Sequence, residues 1–182
     1  MMIIANATPL IYLHRIGQLE LLYQLFTQVT IPEAVARELQ MGQHGEATIP
    51  ELPWIRVMSV QHRSTVDVLA QDLDQGEAEA LALALEHAAD QVIMDDALAR
   101  TAATLLHIPC IGTLGILITC KTRGLIPTVK APLDAMIAAG LWIAPALYEQ
   151  VFHKLGNCRV GPLCLGVDRH SGHLCTLYCR HD

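Results

Sequence analysis

Short apolar runs rich in β-branched residues alternate with stretches of helical periodicity, and this alternation constrains the fold more than any other feature of the chain. The runs are MIIA (2–5), QVTIP (28–32), IRVMSV (55–60), QVIM (91–94) and HIPCIG (107–112). Between and after them lie TPLIYLHRI, LELLYQLF, PEAVARELQM, VDVLAQDL, GEAEALALALEHAA, ALARTAATLLH, LGILITCKTR, LDAMIAAG and PALYEQVFHKLG. Strands that are apolar on both faces and separated by helices need cover on two sides. The expected fold is therefore α/β, a three-layer α/β/α sandwich with a mostly parallel central sheet.

Local punctuation supports these limits. Pro32 suits the first turn of its helix, where a missing N–H costs little. Asp74 and Glu77 have the spacing of an N-cap and its N3 partner, a capping-box variant. Residues 45–53 (GEATIPELP) carry two prolines and read as a mobile loop. With 182 residues, 52% of them apolar and 16% charged, the chain has enough apolar material for one substantial core and is unlike a disordered polypeptide. No apolar run reaches the roughly 20 residues that a membrane helix needs. No basic region precedes an apolar segment at the start, so a soluble, cytoplasmic protein with no membrane partner is expected.

The charge balance is acidic, 12 Lys+Arg against 18 Asp+Glu. That opposes a general nucleic-acid coat, though not a nuclease whose carboxylates hold a cation. Arg100, Lys121, Arg123 and Lys130 are candidates for a local basic patch. Cys110 and Cys120 read as buried, reduced thiols. After Gly156 the character changes: residues 157–182 are rich in Cys, His and Gly without periodicity. The expected organisation is one domain over 1–156 and a Cys/His-rich appendage over 157–182, outside the fold by this composition shift. Cys158, Cys164, Cys175 and Cys179, with His170, His173 and His181, are of zinc-ligand type, but only one pair has knuckle-like spacing.

In open parallel sheets, function gathers at the carboxyl ends of strands. There the sequence puts Asn6 after the first run, Asp95 and Asp96 after the fourth, and Gly112-Thr113 after the fifth. Glu38 and Glu77 lie on helices that could project to the same edge. Converging carboxylates repel unless a cation sits among them, and Mg²⁺ or Mn²⁺ favours such oxygen ligands. Taken singly, each residue also has a plainer role. Asn6, Asp95 or Asp96, and Thr113 suit helix caps, Glu77 suits a capping box, and Glu38 is an ordinary helix-end glutamate. Glu79, two residues past Glu77, faces elsewhere and is expected to be solvated. GTLG lacks the spacing and lysine of a phosphate loop. Receiver domains and HAD-type phosphatases would want an aspartate where Asn6 stands.

The segments IIANATPLIYLHRIGQLELL, IPEAVARELQ, DQGEAEALALALE, VIMDDALARTAATLLHIPCIGTLGILITCKTRGLIP and LDAMIAAGLWIAPALYEQVFHKLG, in that order, resemble PIN-domain proteins, and within them a prokaryotic PIN-like subfamily related to VapC-type toxins. The resemblance covers about residues 2–156. It implies a parallel sheet flanked by helices and a Mg²⁺- or Mn²⁺-dependent ribonuclease acting on RNA phosphodiesters. It also implies, for a toxin, a small antitoxin partner, and often a homodimer. The family's metal-binding acids fall on position 6, Glu38, Glu77 and Asp96, with Asp95 an adjacent candidate; Thr113 matches an assisting hydroxyl position. The departure is Asn6, where the family pattern has aspartate. An amide oxygen can ligate a hard cation but brings no charge, so the alternative is a catalytically weak PIN-like module that binds RNA or a protein.

Overall fold

The computed structural model describes residues 1–42, 46–144 and 148. Five strands, β1 (Ile3–Ala5), β2 (Val29–Pro32), β3 (Ile55–Met58), β4 (Gln91–Ile93) and β5 (Cys110–Ile111), form one sheet. They run in the order β3-β2-β1-β4-β5, and every pairing is parallel. The helices are α1 (Ala7–Arg15), α2 (Glu20–Phe26), α3 (Glu33–Gln40), α4 (Arg63–Leu69), α5 (Gln75–Glu86), α6 (Ala97–Leu105), α7 (Thr113–Thr122) and α8 (Lys130–Ala138). The expected α/β sandwich is thus observed, with an all-parallel sheet among the described strands.

Alternation along β1 explains the layers. Ile3 and Ala5 point into one core, with residues of α1, α2, α3, α7 and α8, while Ile4 points into the other, with α5 and α6. In β4, Ile93 joins the first core and Val92 the second. A strand buried on both faces has no room for polar residues, which is why MIIA and QVIM are nearly continuous apolar runs. Burying one such isoleucine fully contributes about 1.5–3 kcal/mol. Helix α5 lies deepest: residues 76–84 are all buried, so its sequence is apolar almost all round. Among the described residues no helix is long and apolar enough to cross a membrane.

The strand order creates a switch point. The chain leaves β1 toward β2 and β3, then returns across the sheet to β4 on β1's other side. The connections after β1 and after β4 therefore diverge, opening a crevice at the carboxyl ends of these two strands. The register places Ala5 beside Ile93, and the Asn6 N–H donates to the Ile93 carbonyl at 2.9 Å. Asn6 and the Asp95-Asp96 pair consequently emerge side by side.

Several local expectations are corrected. Residues 46–51, expected as part of a mobile loop, form a 3₁₀-helix with Glu46 and Ile49 buried. Arg15 Nε donates to Glu46 Oε1 at 2.9 Å and anchors this turn to α1. Pro32 ends β2 and acts as the N-cap of α3, one position before the first turn. Helix α4 starts at Arg63 and ends at Leu69, earlier than its apolar pattern indicates. Cys120 is buried, but Cys110 is only half-buried. The expected helix over 145–156 and the Cys/His-rich segment 157–182 lie outside the described residues, apart from Tyr148.

Candidate active site

Position 6 is set by backbone geometry. Asn6 is 4% exposed and is the N-cap of α1, its Oδ1 accepting the Ala7 N–H at 2.8 Å. A Cβ added at Gly76 would stand 3.2 Å from that same Oδ1 and 3.3 Å from Val35 Cγ2. Glycine at the start of α5 therefore lets this helix press against the end of β1 and against α3. The result brings the first turn of α5, with Asp74 before it, next to Asn6.

Glu77 sits on that turn. The capping box is complete: Asp74 Oδ1 accepts the Glu77 N–H at 2.7 Å, and Glu77 Oε2 accepts the Asp74 N–H at 3.3 Å. Only 6% of Glu77 is exposed. Burial pushes its carboxyl up to about 7. The negative charges of Asp74, Asp96 and, more weakly, Glu38 push the same way, against the Asp74 N–H. Glu38, on the solvent side of α3, is also raised, first by loss of water around its carboxyl and then by Asp74. Glu38 and Asp74 border a common cleft of about 620 Å³ between α3 and the start of α5, with Arg37, Met41 and Gly76.

The two aspartates after β4 separate into different jobs. Asp95 Oδ1 accepts the Thr113 N–H at 2.8 Å, and its Oδ2 accepts the Thr113 hydroxyl at 2.5 Å. It thereby ties the turn after β4 to the first residue of α7. A Cβ at Gly112 would fall 2.7 Å from Asp95 Oδ1 and 2.7 Å from Arg100 Nη1, so this approach needs glycine. Asp96 is the N-cap of α6, its Oδ1 accepting the Leu98 and Ala99 N–H groups at 2.7 and 2.9 Å, and its charge reaches Glu77. Thr113 is buried as the first helical residue of α7, with Gly112 as the cap.

Glu79 overturns the expectation that it is solvated: it is 1% exposed. Its Oε2 accepts the Ala34 N–H at 2.9 Å, and its Oε1 accepts from Arg63 Nη1 at 2.8 Å and Gln75 Nε2 at 2.9 Å. It does face away from Glu77, but into the junction of α3, α4 and α5 instead of into water. Burial opposes its charged form; the bonds from Gln75, Arg63 and Ala34 outweigh that and hold its carboxyl below the usual range. Two further residues escaped the sequence reading, Asp74 as a charge beside Glu77 and Arg37 on the cleft wall. Asp74 had a signal, because an N-cap aspartate necessarily stands over the first turn that carries Glu77.

A family model described as DUF3368, PIN domain, matches residues 2–157. The chain belongs to the PIN-domain family. The match covers every described element, and the family is one of nuclease-type fold that typically uses divalent metals. No curated protein and no solved structure matches the chain.

Within this PIN domain the donors around Glu77 are all oxygens, the right chemistry for a hard divalent cation. Among the described residues no three acidic, His or Cys side chains stand close enough to form a closed metal cage. Mg²⁺ commonly keeps several waters and takes only one or two carboxylates. Burial first and then the charges of Asp74 and Asp96 lift Glu77, and a hydrated cation would relieve the second of these. The oxygen donors present are of the kind such a cation takes, and with no closed cage among the described residues water would complete its shell.

Proposed function

We propose that this PIN domain is a Mg²⁺- or Mn²⁺-dependent ribonuclease that hydrolyses RNA phosphodiester bonds. The observation that carries the reading is Glu77, 6% exposed at the switch point with Asp74, Asp96 and Glu38 as its charged neighbours. A cluster of acids that destabilises its own charge is costly to a fold and useful to a cation-dependent reaction. Glu38, Glu77 and Asp96 would hold the cation partly through its waters, with Asn6 as a neutral ligand or positioner and Asp95 fixing the turn that carries Asp96. Thr113 assists by orienting Asp95. A cation held there would supply Lewis-acid stabilisation of charge on the phosphoryl and leaving oxygens and would favour ionisation of water. The carboxylates position the attacking water in line with the scissile phosphate and accept its proton. As a toxin, the protein would be silenced by a small antitoxin covering the cleft bordered by Glu38 and Asp74.

A second reading is a PIN module that binds RNA or protein without cutting. Asn6 favours it, because its amide oxygen is already engaged by the Ala7 N–H and adds no charge. Purified protein with labelled RNA and Mn²⁺ or Mg²⁺, with and without EDTA, separates the two. Metal-dependent cleavage by wild type, lost in Glu38→Gln and Asp96→Asn, supports the hydrolase. Cleavage seen only in Asn6→Asp supports the binding module. Cleavage that survives both Glu38→Gln and Asp96→Asn rejects the site.

A further inference from the structure

We propose that Arg37 is a seat for a backbone phosphate of single-stranded RNA on the wall of the acidic cleft, an inference that rests on the ribonuclease reading. The cleft carries Glu38 and Asp74 on a chain of net charge −6, so an approaching polyanion meets repulsion before it meets chemistry. Arg37 is the guanidinium that borders this same cleft, immediately before Glu38 in the sequence.

Its setting holds the charge in place through two long ion pairs, neither of them a hydrogen bond. Arg37 Nη2 is 3.7 Å from Glu79 Oε1 and Nη1 is 3.9 Å from Glu33 Oε2. Glu79 cannot take Arg37 closer without surrendering a better partner, because Arg63, Gln75 and the Ala34 N–H already occupy its two oxygens. Arg63 is hydrogen-bonded at 2.8 Å and Arg15 at 2.9 Å, both held more closely than Arg37 is in either of its ion pairs. The buried carboxylate therefore draws Arg37 toward the cleft wall by charge alone. The guanidinium, with a side chain 55% exposed, keeps its planar fork of N–H groups for an outside anion. A phosphate diester matches that fork in charge and in spacing of its two free oxygens. Such a contact carries no base specificity; it fixes the strand's path past Glu38.

The test is an anisotropy titration of a short labelled single-stranded RNA with the full chain in EDTA, where hydrolysis is stopped, at salt between about 50 and 200 mM. Arg37→Gln should weaken binding about tenfold and lower the slope of log K against log salt by about 0.7, the release expected for one phosphate contact on a single strand. Arg37→Lys should keep the slope and recover part of the affinity. Arg56→Gln, on the exposed face of β3, should change neither, and thermal melting should show that every variant is folded. Equal affinity and slope in wild type and Arg37→Gln overturns the proposal, as does an equal loss in Arg56→Gln or no binding by wild type. Cleavage measured separately with Mn²⁺ keeps the two readings apart. Wild-type cleavage with an unaffected Arg37→Gln titration removes the phosphate seat alone. Arg37-dependent binding without any cleavage removes the hydrolase alone.

Discussion

Glu77 and Glu79 stand two residues apart on α5, both buried, in opposite electrostatic surroundings. Residues so spaced project to different sides of a helix. Loss of water around Glu77, and then the charges of Asp74, Asp96 and Glu38, favour its protonated form. Glu79 meets Arg63, Gln75 and the Ala34 N–H, which favour its charge. One glutamate is poised and the other is locked.

Glu77 makes stability fall as pH rises. The folded chain keeps its proton up to about 7, whereas the unfolded chain releases it near the ordinary 4.5. Between those values the native state binds more protons, so stability is full below the window and lost through it. In EDTA, the melting temperature should drop between these pH values. Glu77→Gln should abolish the drop and be more stable than wild type above pH 7 by roughly 1–3 kcal/mol. A Glu77→Gln protein with the same pH slope as wild type would show that neither burial nor the acidic neighbours raise this carboxyl.

Glu79 has the opposite sign. Its depressed carboxyl supports stability above the unfolded value, and that support is lost as pH falls through the folded value. Glu79→Ala at neutral pH should lose roughly 2–4 kcal/mol by denaturant titration, because it strips the bonds to Ala34, Arg63 and Gln75 at a buried junction. The deficit should shrink on acidification; a deficit independent of pH would point to lost packing alone.

Restoring a charge at position 6 should tighten the cation site. Asn6→Asp keeps a side-chain oxygen able to cap α1, but adds a negative charge near the first turn of α5. Without metal the variant should melt below wild type. Added Mn²⁺ should raise its melting temperature more than that of wild type, as a ligand bound only by the native state does. Equal Mn²⁺ responses would mean that position 6 takes no part in holding the ion.

Thr113→Val tests the link between the turns after β4 and β5. The substitution removes the hydroxyl donated to Asp95 Oδ2 and leaves the backbone N–H bond to Oδ1. A loss of about 1–2 kcal/mol is expected in chemical denaturation. Thr113→Ser should recover most of it, since serine keeps the donor. If serine is no better than valine, the methyl contact matters and the hydroxyl does not.

The fold was legible because its signals are local. Each of the five apolar runs became a strand, and Asp74 with Glu77 became the capping box, since strand burial and helix caps depend on neighbours a few residues away. The order β3-β2-β1-β4-β5 was not legible, and it is what puts Asn6 beside the end of β4. The aspartates 95 and 96 could be named as a pair but not separated. Which one bonds Thr113 and which one caps α6 depends on how close β5 brings Gly112.

Residue order and local pattern alone set an α/β sandwich, the helix that carries Glu77 and the group of acids to consider at the strand ends. Tertiary structure decided which acids lose their water and whom they face. Glu79 reads as an exposed helix residue until α3 and α4 close over it. The 3₁₀ turn at 46–51 reads as loop until Arg15 reaches Glu46 from α1. A carboxylate's solvent and partners come from segments distant in the chain. Periodicity along one helix therefore fixes its direction but not its electrostatic environment.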